Sequence, residues 1–469
     1  MKRLTIGFVH PNLGIGGAER LVVDAAVSLQ KLGHRVVIYT QHHDINHCFE
    51  ETRDGTLEVR QLQTWVLPKH IFNRFHIACT IVRSLALAQQ VSGDRHQLRF
   101  DVLFVDQLSA SIPLLRFSQA RIFFYCHFPD YLQAPHDGIL RRLYRMPFDL
   151  LEEFTTGEAD EIVVNSRYTQ EVFRQAFPRL TRVPRVLQPA LNFEAYDRPV
   201  DTEDTGLWSL RTQKTMVVSI NRFERKKDVG LAVRALAQCL ETRKNQLCLV
   251  VAGGWDAEVP ENVEHLCELV ELAKELGLRT RTIAPKYAKK ELLPANAVSA
   301  PLLLPDATEE MGDVDVVFLP SFSANQRAHL LANARCVVYT PSNEHLGIVP
   351  LEAMYMRVPV VAADSGGPRE TVAHGRTGLL CEGTAEGFAA GITAVLGMDD
   401  ARWKQMGEAG RVRVTENNGL PAFGKRLENL LLDMLEREPH APMVLGVLLT
   451  SLILLTFGLV ILLAYANVI

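Results

Sequence analysis

Two glutamates eight residues apart, Glu344 and Glu352, offer this chain its clearest chemistry. They lie in the run Pro341-Ser342-Asn343-Glu344-His345-Leu346-Gly347-Ile348-Val349-Pro350-Leu351-Glu352-Ala353-Met354, which follows the apolar stretch 336–339. Pro350 suits the first turn of a helix expected to run through Met356. That places Glu352 in the first turn and Glu344 in the loop before it. One carboxylate in a loop and one at a helix start can line one pocket. There Glu352 can accept hydrogen bonds from ribose hydroxyls and Glu344 can hold a sugar. The amides of Gly347, Ile348 and Val349 would face a diphosphate. A capping role explains an acid near a helix start, but not the whole run.

Cations stand upstream in Asn221-Arg222-Phe223-Glu224-Arg225-Lys226-Lys227-Asp228, directly after the strand-like stretch 215–220. Arg222 and Lys227 would sit at a strand's carboxyl end, where open α/β sheets bind ligands. They can neutralise charge developing on a leaving diphosphate. A solvated charge run is the plainer alternative. Gly253-Gly254 ends another strand-like stretch, and Ser365-Gly366-Gly367-Pro368-Arg369-Glu370 follows a further one. Gly254 and Gly367 therefore join the candidate binding residues.

Near the N-terminus, Pro11-Asn12-Leu13-Gly14-Ile15-Gly16-Gly17-Ala18-Glu19-Arg20 follows a strand and opens a helix. Gly16 and Gly17 would let backbone amides approach a phosphate or a sugar. A dinucleotide fold is disfavoured, because Glu19 stands where its third glycine belongs. Gln41-His42-His43 also replaces the acid expected after its second strand. A tight turn with no ligand is the alternative. His127 ends the stretch 122–126 and faces the expected cleft, although such a histidine is often a packed or capping residue. Asp106, after 102–105, is a weaker candidate.

The elements that must position these residues alternate strand and helix. Apolar runs at 4–9, 35–40, 102–105, 122–125, 161–164 and 183–187 are separated by helical stretches. After a polar stretch at 192–213 the rhythm restarts at 215–220, 247–252, 314–319, 336–339 and 358–362. Near-continuous apolar strands indicate parallel sheets covered on both faces. The fold class is α/β, with two doubly wound Rossmann-like domains, 1–195 and 210–435, facing a cleft. Residues 70–91 read as an amphipathic helix, either on a membrane surface or in the core. Residues 282–313, with four prolines, read as an atypical insertion, exposed and mobile.

Composition narrows the class. The 469 residues suit two domains plus extras, and 47% hydrophobic against 22% charged residues describe a globule. A net charge of −4 points to no nucleic-acid partner. Eight scattered cysteines form no Cys-x-x-Cys pair, which leaves buried free thiols as the simplest account. No signal peptide is apparent at the start. Residues 443–465 carry no charge and are long enough to span a bilayer as a transmembrane helix. Lys425, Arg426 and Arg437 precede them, which would leave the bulk of the chain in the cytosol.

Arg222…Lys227, Gly253-Gly254, Glu344-x7-Glu352 and Gly366-Gly367…Glu370 resemble the retaining GT-B glycosyltransferases of the glycogen-synthase-like group. The resemblance covers nearly all of 1–435 outside 282–313. Phe124-Tyr125-Cys126-His127-Phe128-Pro129-Asp130, 221–227 and 339–356 resemble more narrowly the dolichol-pathway α-1,3/1,6-mannosyltransferases. That resemblance implies an enzyme that uses GDP-mannose to extend a dolichol-diphosphate oligosaccharide on the cytosolic face of the endoplasmic reticulum membrane. It implies other glycosyltransferases of the pathway as companions, and no metal or cofactor. Glu344, His127, Lys227 and Arg222 would be catalytic. Gly16, Gly17, Gly254, Gly347, Ile348, Val349, Glu352 and Gly367 would bind substrate. Alternatives are a transferase moving N-acetylglucosamine to phosphatidylinositol, a silent membrane scaffold, and a regulator that binds nucleotide sugar without turnover.

Overall fold

The computed structural model describes residues 3–62, 76–94, 98–133, 139–243, 246–284, 292–294, 297–299 and 314–440. They form two compact units. The first runs to Ala190 and includes the helix Leu420–Glu436; the second is Leu191–Gly419.

The first unit is a parallel sheet of β1 (Thr5–Asn12), β2 (Arg35–His42), β3 (Glu58–Gln61), β4 (Val102–Asp106), β5 (Arg121–Cys126), β6 (Glu161–Val164) and β7 (Arg185–Val186). Its order is β3-β2-β1-β4-β5-β6-β7. Successive side chains go to opposite faces. Ile6, Phe8, Val36, Ile38, Phe123 and Tyr125 enter one core, while Val9, Val37, Tyr39, Ile122 and Phe124 enter the other. Both cores are covered by helices, which is why the strands read as unbroken apolar runs.

The second unit repeats the plan. Its strands are β8 (Thr215–Ile220), β9 (Leu247–Gly253), β10 (Thr280–Ala284), β11 (Ala297–Ser299), β12 (Val316–Pro320), β13 (Ala334–Tyr339), β14 (Val360–Ala363) and β15 (Gly378–Cys381). The order is β11-β10-β12-β9-β8-β13-β14-β15, with every pair parallel. In each sheet the chain winds outward first to one side of the opening strand and later to the other. The reversal lies between β1 and β4 in the first unit and between β8 and β13 in the second. Such switch points leave a crevice at the carboxyl ends of the strands.

Several expectations from the sequence need correction. The second domain does not run to 435, nor the first to 195. The helix Leu420–Glu436 returns to the first unit, where Phe423, Leu427, Leu430, Leu431 and Met434 are buried beside Leu21, Val22 and Ala25. Gly424 permits the approach, since a Cβ there would lie 2.8 Å from the Ser28 Cβ. His34 fastens the same helix. Its Nδ1 accepts the Leu4 N–H at 3.1 Å, so its Nε2 carries the proton donated to Glu428 Oε1 at 3.1 Å. The chain stays on this unit to residue 440, where the His440 N–H donates to Asp160 Oδ1 at 2.9 Å.

The stretch 282–313 is not wholly structureless. It begins inside β10 and contains β11, which pairs parallel to β10; residues 285–291, 295–296 and 300–313 lie outside the described residues. From His76 onward, the helix His76–Asp94 takes the core alternative, with Ile81, Leu87, Ala88 and Val91 buried; residues 63–75 lie outside the described residues. The apolar stretch 443–465 also lies outside them. Among the described residues no helix is long and apolar enough to cross a membrane.

Phe423 supports a direct test of the returning helix. Its side chain is fully buried in the first unit's core, so Phe423→Ala should cost about 3–5 kcal/mol. Hydrogen exchange should quicken in β1 and β2 while β8 and β9 keep their protection. Equal loss of protection in both units would contradict this assignment.

Candidate active site

The second unit's site grows from its switch point. After β8 the backbone passes Asn221 and Arg222 and makes a turn at Arg225–Lys227. After β13 it forms the loop bearing Glu344 and enters the helix Ile348–Tyr355. These loops meet in an ion pair between Lys227 Nζ and Glu344 Oε2, both largely buried. The Thr340 hydroxyl donates to the Lys227 carbonyl at 2.8 Å and ties the loops together. Burial alone would raise the Glu344 pKa, but the Lys227 ammonium outweighs it and holds the carboxyl below its ordinary range. Tyr339, at the end of β13, lies beside Glu344. Burial first, and the two glutamates next, push its hydroxyl well above the ordinary range.

Glycines set this loop's position. Gly367 N–H donates to the Glu344 carbonyl at 2.7 Å. A Cβ on Gly366 would lie 2.5 Å from that carbonyl oxygen, and one on Gly367 would lie 2.3 Å from the Leu346 Cα. Gly347 caps the helix at φ 82°, a left-handed backbone that favours glycine. The amides of Ile348 and Val349 belong to the helix's first turn, which leaves them without intrahelical partners. Glu352 lies beyond that turn, in the second, correcting the first-turn placement expected from Pro350. It is buried, and its Oε1 accepts the Tyr196 hydroxyl at 2.6 Å and Arg327 Nη1 at 2.9 Å.

Other expected residues are placed less directly. Arg222 is exposed and pairs with Glu224 at 2.8 Å rather than with Glu344. Gly253, more than Gly254, needs to be glycine: a Cβ there would lie 1.6 Å from the Asn221 carbonyl oxygen, against 3.3 Å from the Arg222 side chain at Gly254.

The first unit's switch point holds a second cluster. The register pairs Val9 with Val105 and Asp106 with Tyr125, so the carboxyl ends of β1, β4 and β5 lie side by side. Asp106 is fully buried between two histidines. His10 Nδ1 lies 2.8 Å from its Oδ2, and His127 Nε2 lies 2.6 Å from its Oδ1. Glu19, in the first turn of the helix Gly17–Lys31, reaches to 3.9 Å from His10 Nε2. Burial works against charge on His10, but Asp106 and Glu19 outweigh it and lift its pKa to about 9. Burial likewise opposes ionisation of Asp106, and His127 and His10 overcome it, holding the carboxyl at about 2.

His127 and Asp106, read separately from the sequence, meet here, whereas His10 was missed. Its signal was the one that marked His127, a histidine closing an apolar strand. The glycine loop is more occupied than its sequence implies. A Cβ on Gly16 would lie 2.2 Å from the Glu19 carboxylate, while Gly17 faces open space. The helix start already has an acid of its own.

Family models match both units: "Glycosyltransferase Family 4" over residues 15–189 and "Glycosyl transferases group 1" over residues 306–413. The chain is 48% identical to the α-1,3/1,6-mannosyltransferase ALG2 of Rhizomucor pusillus, across 93% of each chain. It is 41% identical to the human protein of that name, across 91% of this chain and 95% of the relative. Among solved structures, a sucrose-phosphate synthase from Thermosynechococcus elongatus aligns with TM-score 0.65 at 19% identity, covering 92% of this chain and all of that one. Starch synthase IV from Arabidopsis thaliana aligns with TM-score 0.64 at 14% identity, across 93% of this chain and all of that one. At those identities the likeness concerns the fold.

The His10 cluster makes folding pH-dependent. Its pKa rises from 6.5 unfolded to about 9 folded. The charged pair therefore stabilises fully below about pH 6.5, and that stabilisation, up to about 3 kcal/mol, fades as pH climbs towards 9. His10→Gln should accordingly cost more near pH 6 than above pH 9 in chemical denaturation followed in the first unit. A cost independent of pH would mean that His10 is uncharged.

Proposed function

Because this chain belongs to the α-1,3/1,6-mannosyltransferase family, we propose that it moves mannose from GDP-mannose, with retention, to dolichol-diphosphate-linked Man1GlcNAc2 and then to Man2GlcNAc2. It is a glycosyltransferase enzyme. The observation that carries the mechanism is the Lys227–Glu344 pair at the second unit's switch point.

In this reading the bond between the anomeric carbon and the diphosphate oxygen breaks. The acceptor hydroxyl oxygen bonds to that carbon on the same face, and its proton passes to the departing diphosphate. Negative charge grows on the diphosphate as it leaves. Lys227 can turn from Glu344 to meet it, and exposed Arg222 can swing from Glu224 to do the same. Positive charge from these side chains takes the place of a metal. The amides of Ile348 and Val349, which make no bond within their helix, favour the phosphates. Glu344, released from Lys227, accepts hydrogen bonds from mannose hydroxyls. Glu352 holds the ribose.

His127, oriented by Asp106, contacts the sugar or the acceptor. Gly17 leaves room for close approach, and Glu19 beside Gly16 favours a neutral sugar there over a phosphate. The stretch 443–465 would anchor the chain in the endoplasmic reticulum membrane, with both units on the cytosolic face beside the other enzymes of the pathway.

Transfer of radiolabelled mannose from GDP-mannose to lipid-linked Man1GlcNAc2, in membranes bearing this chain, tests the reading. Products with two and three mannoses are expected. Glu344→Ala and Lys227→Ala should each lower the rate at least about a hundredfold, as removal of a transition-state contact does. No product with a competent acceptor, or full activity in both variants, would sink it.

A further inference from the structure

The two oxygens of Glu352 are unequal. Oε1 takes both the Tyr196 hydroxyl and Arg327 Nη1. Oε2 is buried and has no hydrogen-bond partner among the described residues. A buried carboxylate oxygen without a donor is costly, and such groups in folded proteins are nearly always satisfied. A ligand hydroxyl would complete it. We infer that Tyr196 and Arg327 are positioning residues for donor binding: by occupying Oε1 they fix the carboxylate so that Oε2 meets the ribose diol of the nucleotide. The inference rests on the proposed role of Glu352 and assigns the residues that make that role possible.

The surrounding packing is built to hold this arrangement. Tyr196 lies on the short helix Glu194–Asp197, where the chain enters the second unit. Both ends of that helix are fastened to the helix bearing Glu352. Phe193 stacks on Tyr355 with ring centroids 4.1 Å apart and planes 4° from parallel. Asp197 accepts the Tyr355 hydroxyl at 2.8 Å and pairs with Arg411 at 3.3 Å. Tyr355 and Glu352 are three residues apart on one helix, so the contacts that hold Tyr355 also set the position of Glu352. Arg327 comes from the helix Ala324–Asn333, which Ser323 and Gln326 close with a capping box. Its guanidinium lies over the Phe322 ring, 5.1 Å from the centroid. Two braced helices thus converge on one carboxylate oxygen of a third.

Positioning through Glu352 differs from general support of the fold in what it does to the diol. Binding of GDP and of its 2′,3′-dideoxy form should be measured by calorimetry on the full chain, wild type, Tyr196→Phe and Arg327→Gln, with Arg327→Lys as the conservative variant. The wild type should prefer GDP about tenfold, the worth of one good hydrogen bond to a charged group. Tyr196→Phe and Arg327→Gln should lose most of that preference through weaker GDP binding, with dideoxy binding held within about twofold. Arg327→Lys should recover part of it. In mannose transfer, KM for the donor should rise with kcat nearly unchanged.

Retention of the full diol preference in Tyr196→Phe and Arg327→Gln would overturn the inference. So would equal weakening of both nucleotides, the mark of a structural role. If the wild type binds another nucleoside diphosphate instead of GDP, the donor assignment fails, and the diol and dideoxy forms of that nucleotide decide the clamp. If the wild type shows no diol preference while Glu344→Ala still abolishes mannose transfer, the clamp falls and the transferase reading stands.

Discussion

Backbone packed against backbone fixes the chemistry of the second unit. Gly366 and Gly367 lie so close to the chain from Glu344 to Leu346 that a Cβ on either would collide with it. The contact holds the glutamate loop against the end of β14, and the Gly367 N–H bonded to the Glu344 carbonyl sets its height. Asn343, at φ 54°, is steadied by the Ser365 hydroxyl accepting its N–H at 3.0 Å. A second such contact, Gly253 against Asn221, draws the start of the cationic loop towards β9. With both loops pinned by main-chain atoms, the Lys227–Glu344 pair forms without either side chain having to organise its own backbone.

The two glutamates then diverge through their surroundings. Glu344 faces a lysine, whose long stem lets the ammonium change partners while staying charged. Glu352 faces an arginine and a tyrosine held by stacked rings and a capped helix, an environment with little freedom. One carboxylate is suited to contacts that change during a reaction, the other to contacts that stay. The first unit reverses the arrangement: there the acid, Asp106, is the fixed centre, and two histidines flank it. Since His10 is buried and charged, it can neutralise Asp106 but cannot reach a substrate, which leaves His127 as the member with access.

What the sequence made legible follows from the range of the interactions involved. Strands such as β4 and β9 are buried along their whole length, so their apolar runs announced them. Short or polar strands did not. β3, Glu-Val-Arg-Gln, carries polar residues on both faces, and β11 is only three residues long. Glu344, Glu352, Lys227 and the glycines could be read because each lies in a local run with its own signature. His10 became visible only when register set β1 beside β4, bringing residues 96 apart in sequence into contact. Tyr196 and Arg327 carried no signal for the same reason: they meet Glu352 across 156 and 25 residues. The return of the last helix depends on contacts such as His34 with Glu428, 394 residues apart, and no periodicity encodes that choice of partner.

Topology explains why a fold shared at 14–19% identity tells so little about substrate. Both sheets reverse direction once, and at each reversal the strand ends present loops with no hydrogen-bonding duty to the sheet. In one unit His10 and Asp106 stand at the ends of β1 and β4 and Glu19 in the helix that follows β1; in the other the loops after β8 and β13 carry Lys227 and Glu344. The sheet's requirements end at β1, β4, β8 and β13, so residues beyond them are free to vary with the ligand while the strands keep their apolar runs. Specificity must then reside where such loops are braced by side chains rather than by the sheet. The helix Glu194–Asp197 is such a brace, since Phe193, Tyr196 and Asp197 all spend their contacts on the helix that holds Glu352.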